Sequence, residues 1–186
     1  MTRGASFVAV ADFDATIRVF DRAAGTDHVL MRAWPIADSN SLRALAFARD
    51  ERLIAAHEYG DVAVWDPRTG AQVLHHRGCD PHRRHDCPRV SAASVAPDGV
   101  SVVLVFDDEV REVAVADGRV LRHVSGDRLP HTRAAHSQGG ALALFGYRGE
   151  VWTGIFGGAP PPVRPPAQVG PTPRVWLSRD GRVLHG

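Results

Sequence analysis

One short pattern recurs along this chain and constrains its fold more than any other feature. A strand-forming stretch is followed four or five residues later by a glycine. The pattern occurs at residues 16–21 before Gly25, at 61–66 before Gly70 and at 110–113 before Gly118. A unit of this size cannot bury its own apolar face, so we expect the copies to stack on one another.

The spacing within the copies gives their length. Asp50 precedes Gly70 by the same 20 residues that separate Asp98 from Gly118, and the same template places successive copies 40 to 48 residues apart. This period is near the ~40–45 residues of a propeller blade and far above the ~20–29 of leucine-rich repeats. The sequence therefore predicts a single unit over residues 1–186, with approximate copies at 5–37, 38–89, 90–130 and 131–170 and an extra strand in 171–186.

The apolar runs within the copies are typical of strands rather than helices. Residues 53–56, 101–106 and 141–145 are short, rich in β-forming residues and bounded by turn residues. Runs that are apolar on both sides predict strands covered on both faces, as in four-stranded sheets packed face to face around an axis. Turns are expected at Tyr59-Gly60 and Thr69-Gly70, where glycine can adopt a positive φ.

Two segments resemble a known repeat family. Residues 65–74, which begin Trp65-Asp66, resemble the third strand and following turn of WD-repeat β-propellers, and residues 94–99 resemble the first-strand turn of that family. The resemblance implies an all-β, propeller-type array of about four four-stranded antiparallel blades, with Trp65 packed between blades. It also implies a noncatalytic scaffold for protein–protein interaction.

The length of the chain predicts an incomplete ring. At a period near 45 residues, 186 residues supply about four blades, and the last residues begin a further strand that would compete with the first one. We therefore expect a segment of a longer propeller, or self-association through open blade edges, because unpaired edges recruit other strands.

Composition excludes several classes of partner. The net charge is +1, and all 22 basic residues are arginine, so no strong basic field indicates nucleic-acid binding. No apolar run reaches the ~18 residues that a membrane span requires. Two cysteines do not make a disulfide scaffold, which favours a cytoplasmic location.

The loop between the second and third copies contains metal-ligating residue types. Cys79, His82, His85 and Cys87 could surround Zn²⁺, which accepts mixed sulfur and nitrogen ligands. A disulfide between Cys79 and Cys87 and a solvated loop are the alternatives. No other cofactor is expected.

Loops on a propeller face are the expected partner-binding positions. The candidate contacts with a protein partner, whose identity the sequence does not indicate, are Tyr59, Arg83, Arg84, Asp107, Asp108 and Arg148. The alternative function is a propeller-type hydrolase or metal-binding module that uses His, Asp and Cys side chains.

Overall fold

The structure is a computed structural model of the 186-residue chain. It describes residues 6–12, 16–31, 42–80, 86–125, 133–136, 140–145, 151–153, 175–177 and 183–185. These residues form sixteen β-strands and no α-helix. Nothing in the described ranges forms a helix with the length and apolarity needed to cross a bilayer.

The strands form five sheets, numbered here in chain order, and each sheet contains only consecutive strands. Sheet 1 contains β1 Phe7–Ala11, β2 Ile17–Asp21 and β3 Thr26–Met31; sheet 2 contains β4 Leu42–Phe47, β5 Leu53–His57, β6 Val62–Trp65 and β7 Gln72–His76. Sheet 3 contains β8 Ala92–Val95, β9 Ser101–Val105, β10 Glu109–Ala114 and β11 Val120–Ser125. Sheet 4 contains β12 Arg133–His136, β13 Leu142–Phe145 and β14 Val151–Thr153; sheet 5 contains β15 Val175–Leu177 and β16 Val183–His185.

The sheets follow one another as radial units. Every strand pairs antiparallel with its neighbour in sequence. The first strands of sheets 2, 3 and 4, which are β4, β8 and β12, contact each other in that order. This confirms the predicted all-β array of four-stranded antiparallel blades.

The repeat predicted from the sequence is visible in the strand register. Val8 pairs with Phe20 in sheet 1, and Leu53 pairs with Trp65 in sheet 2, so each pair lies 45 positions from its counterpart. Sheets 2 and 3 fall within the predicted copies 38–89 and 90–130, and 171–186 contains two short strands. The copy boundaries themselves stay predictions.

Sheet 2 is buried on both faces. Leu53, Ala55 and Trp65 face sheet 1 and are 0%, 0% and 1% exposed. Ile54 and Val64 face sheet 3 and are fully buried as well. Because neighbouring residues of a strand point to opposite faces, burial on both sides requires an unbroken apolar run.

Sheet 3 repeats this arrangement between sheets 2 and 4. Val102 and Leu104 pack towards sheet 2, whereas Val103 and Val105 pack towards Leu144 of sheet 4. Each sheet interface therefore joins one face of a sheet to the opposite face of the next, and the core is a series of layers between sheets.

Turns that contain an Asp and a Gly recur at the same position of the repeat. Gly70 has a φ of 72°, and its amide N–H donates to the carbonyl of Asp66 at 2.9 Å. In the first copy, Asp21 accepts the amide N–H groups of Ala24 and Ala23, and these bonds lower the pKa of its carboxyl below the usual 3.8. Asp and Gly four residues apart thus make one turn, which lies between β2 and β3 in sheet 1 and between β6 and β7 in sheet 2.

The described strands contain no sheet that joins the two ends of the array. Sheet 1 consists of β1 to β3, and sheet 5 consists of β15 and β16. The propeller-type array is therefore open within the residues that the structure describes.

Candidate functional site

A cleft of about 210 Å³ lies between sheets 2 and 3. Its walls are the turn between β5 and β6, the end of β7, and strands β9 to β11. The side chains and glycines that shape it include Tyr59, Gly60, His76, Gly78, Arg111 and Gly118.

One end of the cleft is built from closely packed backbone. A Cβ on Gly78 would lie 2.3 Å from the Tyr59 carbonyl oxygen and 2.6 Å from the Gly60 Cα. The Gly78 amide N–H donates to Asp61 Oδ1 at 2.8 Å, and Asp61 is 1% exposed. The segment after β7 is thus held against the β5–β6 turn by contact and by a charge-assisted hydrogen bond.

The two sheets are joined at the cleft by an imidazole. His76 Nε2 lies 3.1 Å from the carbonyl oxygen of Val115, which can only accept, so Nε2 carries the proton and donates. A Cβ on Gly118 would come within 3.0 Å of His76 Cγ. Glycine at this position therefore allows the ring to lie against sheet 3.

The rim of the cleft is charged and its floor is apolar. Arg77, Arg111 and Asp117 line it together with Leu104 and Phe106. The Arg111 guanidinium lies 4.8 Å from the centroid of the Phe106 ring, and it also pairs with the carboxylate of Glu109. Stacking on the ring fixes the direction of the guanidinium while part of it stays exposed.

Beside the cleft, a disulfide closes the loop after β7. Cys79 and Cys87 are bonded, with their Cα atoms 6.0 Å apart. Cys87 is 9% exposed and packs in the same apolar cluster as Tyr59. The Arg89 guanidinium lies 6.0 Å from the centroid of the Tyr59 ring. The disulfide therefore closes the loop on itself, and Cys87 and Arg89 attach it to sheet 2 at Tyr59.

The disulfide is one of the two alternatives to the predicted zinc site. Cysteines bonded to each other cannot act as thiolate ligands, and His82 and His85 lie outside the described residues. In the described ranges, no group of three or more His, Cys, Asp or Glu side chains could hold a metal. Zinc binding by the reduced loop stays a prediction, and zinc content before and after Cys79→Ser measures it.

Reduction of the Cys79–Cys87 bond is expected to lower the free energy of unfolding by about 2–3 kcal/mol, because it releases a constraint on the unfolded chain. The bond joins residues eight positions apart. Urea denaturation with and without reductant measures the loss, and thiol titration of the native chain should find no free cysteine. The Cys79→Ser, Cys87→Ser double variant should not respond to reductant; an equal response in that variant would contradict the prediction.

Of the predicted partner contacts, Tyr59, Asp107 and Asp108 lie within the described residues. Tyr59 lies on the cleft and is 9% exposed. Asp107 and Asp108 are exposed in the turn between β9 and β10. Gly60 lies near Phe106, and Phe106 directly precedes the turn between β9 and β10. Asp107 and Asp108 therefore lie beside the cleft, although neither of them lines it.

Three other predicted contacts, Arg83, Arg84 and Arg148, lie outside the described residues. The cleft residues His76, Gly78, Arg111 and Gly118 were not among the sequence candidates. A local signal existed for Gly118, which ends a repeat turn, whereas Arg111 carries no pattern that distinguishes it.

A serine and a histidine meet on the first strands of sheets 3 and 4. Ser94 Oγ accepts the His136 amide N–H at 3.1 Å and lies 2.9 Å from His136 Nδ1. A hydroxyl beside an imidazole is also the arrangement of a nucleophilic site. Here the Ser94 hydroxyl is buried and already accepts a hydrogen bond from the main-chain N–H of His136, so the pair links β8 to β12.

Acidification is expected to destabilise the fold through His136. Burial lowers the pKa of His136 below its usual 6.5, although Glu112 and Asp98 act in the opposite direction and Arg122 adds to the lowering. Because the unfolded chain then binds a proton more readily, the free energy of unfolding is highest above about pH 6.5 and decreases as the pH falls through the folded pKa.

Urea denaturation at several pH values from about 8 to about 5, a range that includes the usual histidine pKa, measures the contribution of His136 to stability. His136→Asn retains a group that can accept from Ser94 and should reduce the loss of stability on acidification. Comparison of the two proteins at the highest pH gives the packing cost of the substitution separately. An unchanged pH dependence in the variant would contradict the assignment to His136.

Comparison with known proteins supports the fold. No protein-family model and no curated protein sequence matches the chain. A chain in the crystal structure of the mitotic checkpoint complex is similar, with a TM-score of 0.64 and 16% identity over 92% of this chain and 50% of that chain. This chain thus spans about half the length of the chain it matches. Together, the strand order and this similarity show an all-β protein with a β-propeller-type array of four-stranded antiparallel sheets.

Proposed function

We propose that the chain is a noncatalytic protein-interaction scaffold whose cleft between sheets 2 and 3 receives acidic side chains of a partner polypeptide. The observation that carries the proposal is the size of the cleft. Its 210 Å³ is below the ~300–1,000 Å³ of small-molecule and cofactor sites. It suits one or two side chains of a docked polypeptide.

The walls of the cleft are fixed before any partner arrives. Gly78 is held against Gly60 and bonded to Asp61, and His76 is bonded to Val115 across the sheet interface. A preorganised surface loses less conformational entropy on binding than a flexible one does. This rigidity supports a binding role, in which the protein contributes a fixed surface and does not make or break covalent bonds.

Charge supports an acidic partner. The chain as a whole has a net charge of only +1, but two arginines, Arg77 and Arg111, line the cleft with one acidic residue, Asp117. Arg111 also pairs with Glu109, which is outside the lining. Arginine favours carboxylates because its planar donors can bind both oxygens. A partner segment with Asp or Glu next to an apolar residue would match the rim and the floor together.

The similar chain of the mitotic checkpoint complex belongs to a protein assembly, which is consistent with a scaffold role but says nothing about the partner here.

A cytoplasmic location remains part of this proposal. It is in tension with the Cys79–Cys87 disulfide, because disulfides persist mainly in oxidising compartments.

The test is selection of binders from a phage-displayed library of random peptides on the immobilised full chain. Selected peptides should be enriched in Asp and Glu, and Arg111→Ala should weaken their binding by about tenfold or more. The matched control is Arg119→Ala, which removes an arginine that is 74% exposed and outside the cleft. Equal losses in the two variants, or no acidic enrichment, would overturn the proposal.

A further inference from the structure

The Cys79–Cys87 bond joins two segments of the chain that line the cleft. Gly78 directly precedes Cys79, Pro88 directly follows Cys87, and both Gly78 and Pro88 belong to the cleft lining. The bond holds the Cα atoms of the two cysteines 6.0 Å apart. It therefore links the part of the cleft wall that follows β7 to the part that precedes β8.

The returning segment, residues 87–90, is also held by contacts other than the disulfide. The Val90 N–H donates to the carbonyl of Glu58 at 2.6 Å, and Val90 is fully buried. Cys87 is buried in the same apolar cluster as Tyr59. We therefore expect this segment to stay in place when the bond is reduced.

The outgoing segment, residues 77–79, is less buried. Arg77 and Gly78 are exposed, and Cys79 is half-buried. The Gly78 N–H donates to Asp61 Oδ1, and the disulfide fixes the next residue. Arg77 is one of the two arginines that line the cleft. Loss of the disulfide should therefore loosen the outgoing segment, and Arg77 with it, more than the returning segment.

We propose that the Cys79–Cys87 bond is a reversible redox switch, and that the cleft binds an acidic partner more tightly when the bond is formed. The inference rests on the proposed function, because it concerns regulation of the same cleft. With the bond formed, the backbone that carries Arg77 is already ordered. With the bond reduced, binding must order this backbone, which lowers the affinity.

The redox step is thiol–disulfide exchange with a dithiol reductant. One thiolate of the reductant attacks the sulfur of Cys79, the less buried cysteine, to form a mixed disulfide and release Cys87 as a thiolate. The second thiolate of the reductant then attacks the reductant sulfur of the mixed disulfide and releases Cys79. The reductant becomes a disulfide, and the protein gains two electrons and two protons as two thiols. The new Cys87 thiol can donate to the carbonyl oxygen of Asp80, which lies 3.8 Å from Cys87 Sγ.

A reducible bond also removes the tension between the disulfide and a cytoplasmic location. Disulfides of mesophilic proteins in reducing compartments are usually transient and take part in catalysis or redox sensing. Accessible disulfides are reduced more readily than buried ones, and Cys79 is half-buried. The bond is therefore expected to respond to the redox state of its compartment.

The test measures the affinity of the full chain for an acidic peptide selected on its oxidised form. Reduction with dithiothreitol should raise the dissociation constant by about three- to tenfold, and reoxidation with oxidised glutathione should restore it. The matched control is the Cys79→Ser, Cys87→Ser double variant, which should bind as weakly as the reduced chain and should not respond to dithiothreitol. In the chain without peptide, reduction should accelerate hydrogen exchange of the Gly78 amide and leave that of the Val90 amide unchanged.

Two results would overturn the switch. One is equal peptide affinity in both redox states while Arg111→Ala still weakens binding, which would leave the proposed function in place. The other is faster exchange at Val90 as well as at Gly78 on reduction, because the bond would then be needed for the fold of this region. Faster exchange at Gly78 alone, in a chain that selects no acidic peptides, would support redox control of the cleft wall and overturn the acidic partner.

Discussion

Replacing Trp65 with alanine is expected to lower the free energy of unfolding by about 3–5 kcal/mol. Trp65 is 1% exposed and packs between sheets 1 and 2 with Ile17, Val19 and Leu53. The substitution removes the largest side chain of this layer, and the β-strands on either side cannot close the space without breaking their pairing. The cost therefore includes both the lost burial and a cavity.

Urea denaturation of the full chain measures the Trp65 effect. The matched control is Val73→Ala on β7 of the same sheet, where the side chain is 57% exposed. That variant should stay within about 0.5 kcal/mol of the parent. A loss below about 1 kcal/mol for Trp65→Ala would show that sheets 1 and 2 do not depend on this contact, which would contradict stacked blades.

The strand pattern could be predicted because the repeat is local. Gly25 and Gly70 both have a positive φ, at 66° and 72°, and each follows an Asp that forms the same turn. Such turns depend on residues only a few positions apart, so their chemistry is visible in the sequence. The resemblance of residues 65–74 to WD-repeat propellers implied that Trp65 packs between blades, and it is 1% exposed between sheets 1 and 2.

The exposure of sheet 1 could not be predicted from the same pattern. Val8 and Phe20 have the apolar character of their counterparts Leu53 and Trp65. Whether such a face is buried depends on the presence of another sheet, which local sequence does not encode. The apolar pattern predicts that a face can pack, and only the tertiary structure shows that one of these faces is open.

The cleft was missed for a related reason. Its fixed points are contacts between residues distant in sequence, such as His76 with Val115, 39 positions apart, and Asp61 with Gly78, 17 apart. No spacing rule links these residues, because their distance depends on how two sheets pack. Tyr59 was found because it lies in a repeat turn, and turns at one end of the blades are recognisable from the sequence.

Replacing Gly78 with alanine is expected to lower the free energy of unfolding by about 3 kcal/mol or more. The added Cβ would lie 2.3 Å from the Tyr59 carbonyl oxygen and from the Gly60 carbonyl carbon, which are backbone atoms that cannot rotate away. The chain must shift, and the Gly78 amide then moves from Asp61 Oδ1. A buried carboxylate that loses a donor adds its own penalty to the overpacking.

The control for Gly78 is Gly25→Ala. Gly25 has a φ of 66° and nothing within 4 Å of an added Cβ, so its substitution measures backbone strain alone, at about 1–2 kcal/mol. Gly78 is not in the left-handed region, so a larger loss there comes from the contact with Tyr59 and Gly60 and from the hydrogen bond to Asp61 that this contact displaces. Hydrogen exchange of the residue 78 amide should become faster in Gly78→Ala. Equal stability losses in the two variants, with unchanged exchange at residue 78, would show that this backbone contact does not hold the cleft wall in place.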